Sequence, residues 1–384
     1  MKKIVHSEAL PIGLAMFSMF FGAGNIIFPL VLGQYAGDKN FFAVLGMILT
    51  AALMPIIGVL AMILFDGSYK NFFGRLGKAP GFILALIIIS LLGPLGSTPR
   101  CIALSYTALT SSFVNLSPTL FSAASCAIIF LFSIRRNQLL SLLGWVLTPL
   151  LLVSLTAIIL IGLFTPSEVH HVEASKTAVF LHGLKEGYNT MDLLAAFFFS
   201  STILTILKMR SQGSEDKNYL SIAWRASLLG AVLLAAVYIG FSYLASFHGN
   251  HLDIAGQEAL LGAIILKIAG AKAGFLVCVT IALACLTTAI ALICSFADFF
   301  QKEVLQEKVS YPYVLLGALI LTFCVSTFEF SGISAFLAPI LEITYPGLIV
   351  LTFLNIAYRI KEFKPIKAPV CIVFALSFLA YKLF

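Results

Sequence analysis

Charge is scarce in this sequence. Only 11% of its 384 residues are Asp, Glu, Lys or Arg, whereas 60% are hydrophobic and the mean hydropathy is +1.03. So few charges leave no segment with the composition of a soluble domain. Apolar runs of about 20 residues, the length with which a helix crosses a bilayer, recur along the chain. The composition therefore predicts an integral membrane protein that is surrounded by lipid bilayer.

The sequence also lacks the patterns of redox, metal, nucleic-acid and enzyme chemistry. Its seven cysteines fall within predicted spans without a Cys-x-x-Cys pair, and the adjacent His170 and His171 have no third ligand in view. The net charge of +7 is explained by basic helix ends that face lipid head groups, since no basic face with interleaved aromatic residues is present. The acidic residues are scattered over different predicted helices. We therefore expect no enzyme activity, no nucleic-acid partner and no obligate protein partner.

Polar breaks divide the chain into eleven predicted membrane spans. They lie close to residues 9–32, 41–65, 80–113, 118–134, 139–164, 176–208, 219–247, 273–300, 311–328, 331–357 and 368–384. Lys and Arg collect near one set of helix ends, which predicts a cytoplasmic N-terminus. If 331–357 were instead two short helices broken at Pro346, the chain would have twelve spans and a more even charge split between the two sides. The charge distribution favours eleven.

The stretch MFFGAGNIIFP, Met19 to Pro29, places helix-weakening residues inside the first span. Gly22 and Gly24 alone are consistent with close helix packing. Packing does not explain Asn25 or Pro29, which weaken the backbone hydrogen-bond ladder over the same region. A break at this depth leaves amide N–H groups that suit a carboxylate and carbonyls that suit a small cation. The stretch therefore predicts a binding site in a broken helix, with a counterpart expected in the second half of the chain.

Two further polar clusters lie within predicted spans. EGYNTMD, Glu186 to Asp192, is the candidate counterpart, and its alternative interpretation is a loop end in which Asn189 or Thr190 caps the following helix. ACLTTAIAL in the eighth span places the hydroxyls of Thr287 and Thr288 side by side. On residues alone, the favoured role of these hydroxyls is a bond back to a carbonyl four residues earlier. Oxygen ligands without a charged cage would suit Na⁺.

Four motifs in chain order carry a resemblance to a known family. FSMFFGAGNIIFP, GPLGSTPR (Gly93 to Arg100), EGYNTMD and LTTA together resemble the bacterial branched-chain amino acid:cation symporters, the BrnQ-type carriers. The resemblance implies an all-α polytopic protein of LeuT-like architecture in the bacterial cytoplasmic (inner) membrane. Residues 1–384 would then form one transport domain, with inverted repeats at about 9–164 and 176–357 and an extra C-terminal helix at about 368–384.

The resemblance also implies a set of site residues. Gly22, Ala23, Gly24 and Asn25 would hold the substrate, its carboxylate resting on the amides of Ala23 and Gly24, while Asn25 orients the carboxylate or serves a second cation. Na⁺ would lie between the carbonyls of Ser18, Phe21 and Ala284 and the hydroxyls of Thr287 and Thr288. Tyr188 and Thr190 are further substrate candidates. The sixth span has no glycine after Gly187, which leaves the point of unwinding, and the roles of Tyr188, Thr190 and Asp192, open.

The predicted function is Na⁺-coupled uptake of Leu, Ile or Val, with no cofactor besides the co-transported ion. An apolar pocket that includes Phe20, Phe21, Ile26 and Phe28 would favour those side chains. The alternatives are an H⁺-coupled carrier, in which Glu186 or Asp192 takes the proton, and a carrier of another small neutral amino acid. A channel is disfavoured because the polar clusters form no symmetric ring. Arg100 is expected to pair with Asp192 or Glu186, or to extend to the membrane surface, rather than to contact substrate.

Overall fold

The computed structural model describes residues 2–112, 116–134, 147–165, 169–210, 219–250, 252 and 256–383, and every regular element within these ranges is helical. The first nine helices are α1 (Lys2–Phe20), α2 (Ala23–Ala36), α3 (Asn40–Ile48), α4 (Met54–Leu64), α5 (Tyr69–Phe73), α6 (Lys78–Leu92), α7 (Ser97–Ser112), α8 (Pro118–Ser133) and α9 (Thr148–Phe164). The others are α10 (Lys176–Asn189), α11 (Asp192–Arg210), α12 (Tyr219–His248), α13 (Leu260–Ala269), α14 (Ala271–Phe299), α15 (Tyr311–Ser326), α16 (Phe330–Lys361) and α17 (Lys367–Leu383). Five helical stretches in the described residues are long and apolar enough to cross a membrane.

The first span is broken as the sequence predicted. α1 ends at Phe20 and α2 begins at Ala23, while Gly22 between them is extended, with φ −123° and ψ −158°. Pro29 is in the second turn of α2 and lacks the amide hydrogen that would continue the ladder. α12 packs along both α1 and α2, so the break is supported from one side by a continuous helix.

The sixth span is broken after Thr190. α10 ends at Asn189, α11 begins at Asp192, and Met191 between them has a φ of 65°. This left-handed conformation is uncommon for a residue with a side chain and usually belongs to glycine. Because Met191 occupies the position, the break could not be located from a glycine in the sequence. Residues 176–189 form the helix that precedes the break, rather than a loop that leads into a cap.

The third span, predicted at 80–113, is one apolar stretch over Lys78–Thr110 that is interrupted inside. α6 ends at Leu92 and α7 begins at Ser97, with Gly93 and Gly96 between them. A Cβ on Gly93 would lie 2.8 Å from Cβ of Phe296, and one on Gly96 would lie 2.2 Å from the carbonyl oxygen of Leu91. The glycines therefore allow α6 and α7 to meet tightly against α14.

The C-terminal helices agree with the eleven-span interpretation. α16 continues from Phe330 to Lys361 through Pro339 and Pro346, so the stretch 331–357 is one helix rather than two. The predicted span 139–164 is described only from residue 147, because residues 135–146 lie outside the described part of the chain.

α10, the helix that leads into the second break, packs closely against α3. A Cβ on Gly46 of α3 would lie 2.2 Å from the carbonyl oxygen of Phe180, and one on Gly183 of α10 would lie 2.1 Å from that of Ala43. Both distances are far below van der Waals contact, so the two backbones touch with no room for a side chain. This contact positions α10, and therefore the break that follows it.

Candidate functional site

The breaks in the first and sixth spans meet at one buried cavity. It has a volume of about 20 Å³, which is room for about one water-sized group. Its polar walls come from both breaks, from α7 and from α14, and consist of Gly22, Ala23, Gly24, Asn25, Ser97, Arg100, Thr190, Asp192 and Thr288. Phe20, Leu92, Ala195 and Leu292 contribute apolar surface. Two segments far apart in sequence thus form one polar site within an apolar bundle.

The two glycines of the first break allow side chains from other helices to approach. A Cβ on Gly22 would lie 2.8 Å from Cγ2 of Thr288, and one on Gly24 would lie 2.6 Å from Nη2 of Arg100. Any larger residue at these positions would displace Thr288 or Arg100 from the break. The GAG pattern therefore has a steric role in addition to its effect on helix continuity.

Asn25 joins three parts of the structure. Its Oδ1 accepts a hydrogen bond from the Gly22 amide at 3.0 Å, and its Nδ2 donates to Oδ1 and Oδ2 of Asp192 at 2.9 and 2.8 Å. Tyr238 of α12 donates its hydroxyl hydrogen to Oδ2 of Asp192 at 2.5 Å, and Nδ2 of Asn25 also contacts the Tyr238 hydroxyl. Asn25 is 2% exposed and Asp192 is 1% exposed. Since Oδ1 of Asn25 accepts one bond, from the Gly22 amide, one of its two acceptor positions is occupied.

An oxygen cluster joins α1 to α14 beside the cavity. The hydroxyls of Thr287 and Thr288 donate to the Ser18 carbonyl at 3.2 and 3.1 Å. Thr287 also lies 2.9 Å from the Leu283 carbonyl and 3.0 Å from the Ala284 carbonyl. The Leu283 contact is the bond to the preceding turn that the residues alone favoured. Because the Thr287 hydroxyl has one hydrogen, the carbonyls of Ser18, Leu283 and Ala284 are alternative acceptors for it.

The remaining members of the predicted cation set lie close to this cluster. Phe21 is fully buried in the break, directly before Gly22. The side-chain hydroxyl of Ser18 is buried and has no hydrogen-bond partner among the described residues. The structure thus brings together the carbonyls of Ser18 and Ala284 with the hydroxyls of Thr287 and Thr288. Their role as ligands of Na⁺ stays a prediction.

Arg100 lies at the cavity. Asp192 and Glu186, its two expected partners, interact with its charge electrostatically but do not contact it directly. Within the described residues no carboxylate lies within 4.0 Å of its guanidinium. Nη2 instead donates to the Asn189 carbonyl at 3.0 Å, a group that the second break leaves without a helical partner. The side chain is 2% exposed and therefore does not extend to the surface.

Comparison with known proteins identifies the family. The model of a family described as branched-chain amino acid transport protein matches residues 5–382. The chain belongs to this family. A predicted branched-chain amino acid carrier protein of Staphylococcus aureus (strain USA300) is 32% identical over 400 residues, covering 95% of this chain and 86% of that protein. The branched-chain amino acid permease BrnQ of Bacillus subtilis (strain 168) is 29% identical, covering 94% of this chain and 84% of the permease.

The fold also matches that of a solved structure. The structure of MhsT in complex with L-phenylalanine superimposes with a TM-score of 0.65 at 16% identity, covering 96% of this chain and 98% of the other. This branched-chain amino acid transport protein is therefore an all-α, multi-pass membrane protein of LeuT-like architecture, as predicted. Its family consists of transporters, which agrees with the expectation that it is not an enzyme.

The other predicted residues of the second break divide between the cavity and its surroundings. Thr190 lines the cavity, and its hydroxyl donates to the Gly187 carbonyl at 2.9 Å. Tyr188 and Glu186 do not line the cavity. The Tyr188 ring stacks on Tyr345 with centroids 4.6 Å apart, and Glu186 accepts a bond from Nδ2 of Asn189 at 3.2 Å.

Sequence reasoning missed Tyr238 and Tyr345 of this transporter. Tyr345 of α16 accepts a hydrogen bond from the Leu193 amide at 3.1 Å, which satisfies a donor in the first turn of α11. Tyr238 bonds to Asp192, as described above. Each lies in a long apolar helix that contains other tyrosines, with no motif around it, so only the position of the helices identifies it.

The variant Tyr238→Phe is expected to raise the leucine concentration for half-maximal uptake by about 10-fold, because a hydrogen bond to a charged group contributes about 1.5–3 kcal/mol. The substitution removes only the hydroxyl that donates to Asp192. The measurement is the concentration dependence of radiolabelled leucine uptake into proteoliposomes. Tyr243→Phe is the control, because Tyr243 is on the same helix and packs its ring against Phe247. Equal kinetics for both variants would contradict the role of Tyr238.

Proposed function

We propose that this transporter couples the uptake of Leu, Ile and Val to the inward movement of Na⁺ by alternating access across the bacterial cytoplasmic membrane, with its N-terminus in the cytoplasm. The observation that carries the proposal is the meeting of two helix breaks at a buried polar cavity, next to the oxygen cluster of α1 and α14. Relatives named as branched-chain amino acid carriers support the choice of substrate.

The start of α2 suits the substrate carboxylate. The first amides of a helix lack helical acceptors and lie at the positive end of its dipole. In α2 these amides belong to Ala23 and Gly24, at the cavity wall. The cavity has room for about one water-sized group, so it must widen to admit an amino acid, and its apolar wall that includes Phe20 and Leu292 would then suit an aliphatic side chain. One methylene contributes only about 1–3 kcal/mol to discrimination, so Leu, Ile and Val would share the site.

The oxygen cluster suits Na⁺, which is a second substrate in this scheme. Carbonyl and hydroxyl oxygens are hard ligands that suit such a cation without a cage of charged groups. If the hydroxyls of Thr287 and Thr288 rotate their hydrogens away from Ser18, three or more oxygens face one ion. Na⁺ would then hold α1 against α14 and fix the break where the amino acid binds. Such coupling is reciprocal and usually contributes about 1–3 kcal/mol.

A second candidate is coupling to H⁺. It is favoured by Asp192, a buried carboxyl group that lies between the two breaks and bonds to Tyr238 and Asn25. Ionisable groups inside a membrane protein commonly take part in proton transfer. In that mechanism Asp192, or Glu186 on the preceding helix, would load and release the proton.

The test is uptake of radiolabelled leucine, isoleucine and valine into proteoliposomes that contain the purified protein. One set of vesicles has an inward Na⁺ gradient at equal pH, and the other has an inward H⁺ gradient without Na⁺. The proposal expects uptake in the first set only, and collapse of that uptake when a Na⁺ ionophore removes the gradient. Uptake driven by H⁺ alone would overturn the Na⁺ mechanism and support the second candidate. Uptake of a different neutral amino acid in place of these three would overturn the choice of substrate.

A further inference from the structure

Arg100 is a buried cation without a direct anionic partner among the described residues. Its Nη2 donates to the Asn189 carbonyl at 3.0 Å, and its Nη1 lies 3.8 Å from the sulfur of Met191. Its Nε is buried and has no hydrogen-bond partner among those residues. The rings of Phe28 and Phe330 lie 5.0 and 5.4 Å from its Cζ. Asp192 and Glu186 interact with this charge electrostatically, but its direct contacts are a carbonyl, a thioether and two rings. A charge at membrane depth with such contacts is expensive, and such groups usually serve a substrate pathway.

Asp192 provides the opposite charge on the same cavity. Asn25 donates to both of its oxygens, and Tyr238 donates to one of them. A carboxylate has about four acceptor positions, so these three contacts leave one position for a further donor. The guanidinium of Arg100 and the carboxylate of Asp192 both line the cavity, yet no ion pair within 4.0 Å joins them in the described part of the chain. The cavity therefore lies between two unlike charges.

This arrangement complements a zwitterion. An α-amino acid carries an anionic carboxylate and a cationic ammonium on one carbon, and needs a cation and an anion at close separation. Because Gly24 has no side chain, Nη2 of Arg100 lies directly against the start of α2. The guanidinium and the first amides of that helix can therefore bind the same carboxylate. Asp192, the first residue of α11, also lines the cavity, and the ammonium would lie beside it.

We infer that Arg100 binds the α-carboxylate of the substrate and that Asp192 binds its α-ammonium group, so the two residues together restrict transport to zwitterionic amino acids. The inference rests on the proposed function and adds to it two charged contacts beyond the amides of the first break. It reverses the expectation that Arg100 is a structural partner of the acidic residues. Arg100 and Asp192 do not pair with each other because each is placed to form its charged contact with the substrate.

Two leucine analogues separate the roles of the two charges. 3-Methylbutylamine lacks the carboxylate of leucine, and 4-methylpentanoate lacks its ammonium group. Binding is measured as the ligand-induced rise in the unfolding temperature of purified protein in saturating NaCl, which requires no transport and yields an apparent affinity for each ligand. The variants are Arg100→Gln, Arg100→Lys and Asp192→Asn. Arg75→Gln is the control, since Arg75 also donates to backbone carbonyls, those of Phe363 and Lys364, and lies over the Tyr358 ring.

The inference expects wild-type protein to bind leucine at least about 30-fold more tightly than either analogue, the effect of losing a charged hydrogen-bonded contact. Arg100→Gln should no longer prefer leucine over 3-methylbutylamine, while its affinity for this amine stays within about threefold of the wild-type value. Asp192→Asn should no longer prefer leucine over 4-methylpentanoate, while its affinity for this carboxylate stays within the same range of the wild-type value. Arg100→Lys should keep part of the preference over the amine. The control should keep both preferences.

Three results would overturn the inference. In the first, wild-type protein binds an analogue as tightly as leucine. In the second, the Arg100→Gln variant keeps its full preference for leucine over the amine. In the third, either neutral variant loses affinity equally for all three ligands. If a neutral variant does not fold, the wild-type comparison and the Arg100→Lys variant decide. Wild-type protein that binds no leucine in NaCl would overturn the proposed function itself, whereas Na⁺-dependent leucine binding without these preferences would overturn only the charged contacts.

Discussion

The double variant Thr287→Ala with Thr288→Ala is expected to raise the Na⁺ concentration for half-maximal leucine uptake by about 100-fold, the effect of losing two polar ligands at about 1.5 kcal/mol each. Both hydroxyls contact the Ser18 carbonyl, and with them α14 loses its hydrogen bonds to α1 at the break. Alanine leaves only carbonyl oxygens in the cluster, which are too few to replace the water around an ion. The measurement is uptake into proteoliposomes over a range of external Na⁺ concentrations at a fixed leucine concentration.

Thr280→Ala is the matched control for that variant. Thr280 is a buried threonine of the same helix, two turns before Thr287, and its hydroxyl donates to the Leu276 carbonyl. The control should keep the Na⁺ dependence of wild-type protein, because it removes a hydroxyl from α14 without touching α1. A double variant whose Na⁺ dependence matched that of the control would show that the threonines only stabilise the helix pair.

Substitution of Gly183 by alanine is expected to destabilise the protein by about 3 kcal/mol or more, at the upper end of the usual effect of overpacking. The new methyl group would lie 2.1 Å from the carbonyl oxygen of Ala43 and 3.2 Å from the amide of Met47, both backbone atoms of α3. Backbone atoms cannot rotate away as a flexible side chain can, so α10 must move away from α3. The measurement is the unfolding temperature of the purified variant, together with the fraction that elutes as a single species.

Gly317→Ala provides the comparison. Gly317 lies within α15, and no atom of the described residues outside its own helical turn lies within 4 Å of a Cβ built there. Alanine favours a helix over glycine by about 1 kcal/mol, so this variant should be as stable as wild-type protein or more stable. Equal unfolding temperatures for the two variants would contradict the close contact of α3 and α10.

The first break was predictable because several residues weakened one helix at the same place. Gly22, Gly24, Asn25 and Pro29 each disfavour a continuous ladder, and their combined effect exceeds that of any one. The break after Thr190 was predictable only in outline. Met191 adopts a left-handed conformation that depends on its surroundings rather than on its own preference, so the sequence contains no sign of the exact position.

The partners of the site residues were harder to predict than the residues themselves. Arg100 and Asp192 were recognisable because charges are rare in this chain and costly in a membrane. Charge alone suggested that they pair with each other. The structure places the Asn189 carbonyl beside Arg100 and the Tyr238 hydroxyl beside Asp192, since both breaks expose backbone groups and α12 crosses behind them. Such contacts depend on helix positions that local sequence does not specify.

The two prolines within α16 separate ends that are attached to different parts of the protein. At its first residue, Phe330 lies over Arg100 at the cavity. Near its last turns, Asn355 donates to the Phe72 carbonyl at 3.2 Å and accepts from Arg75 at 3.2 Å. Pro339 and Pro346 between them each remove a backbone donor and so make that segment easier to bend. We therefore expect α16 to bend at these prolines, which would move Phe330 away from Arg100 during turnover while Asn355 keeps its contacts.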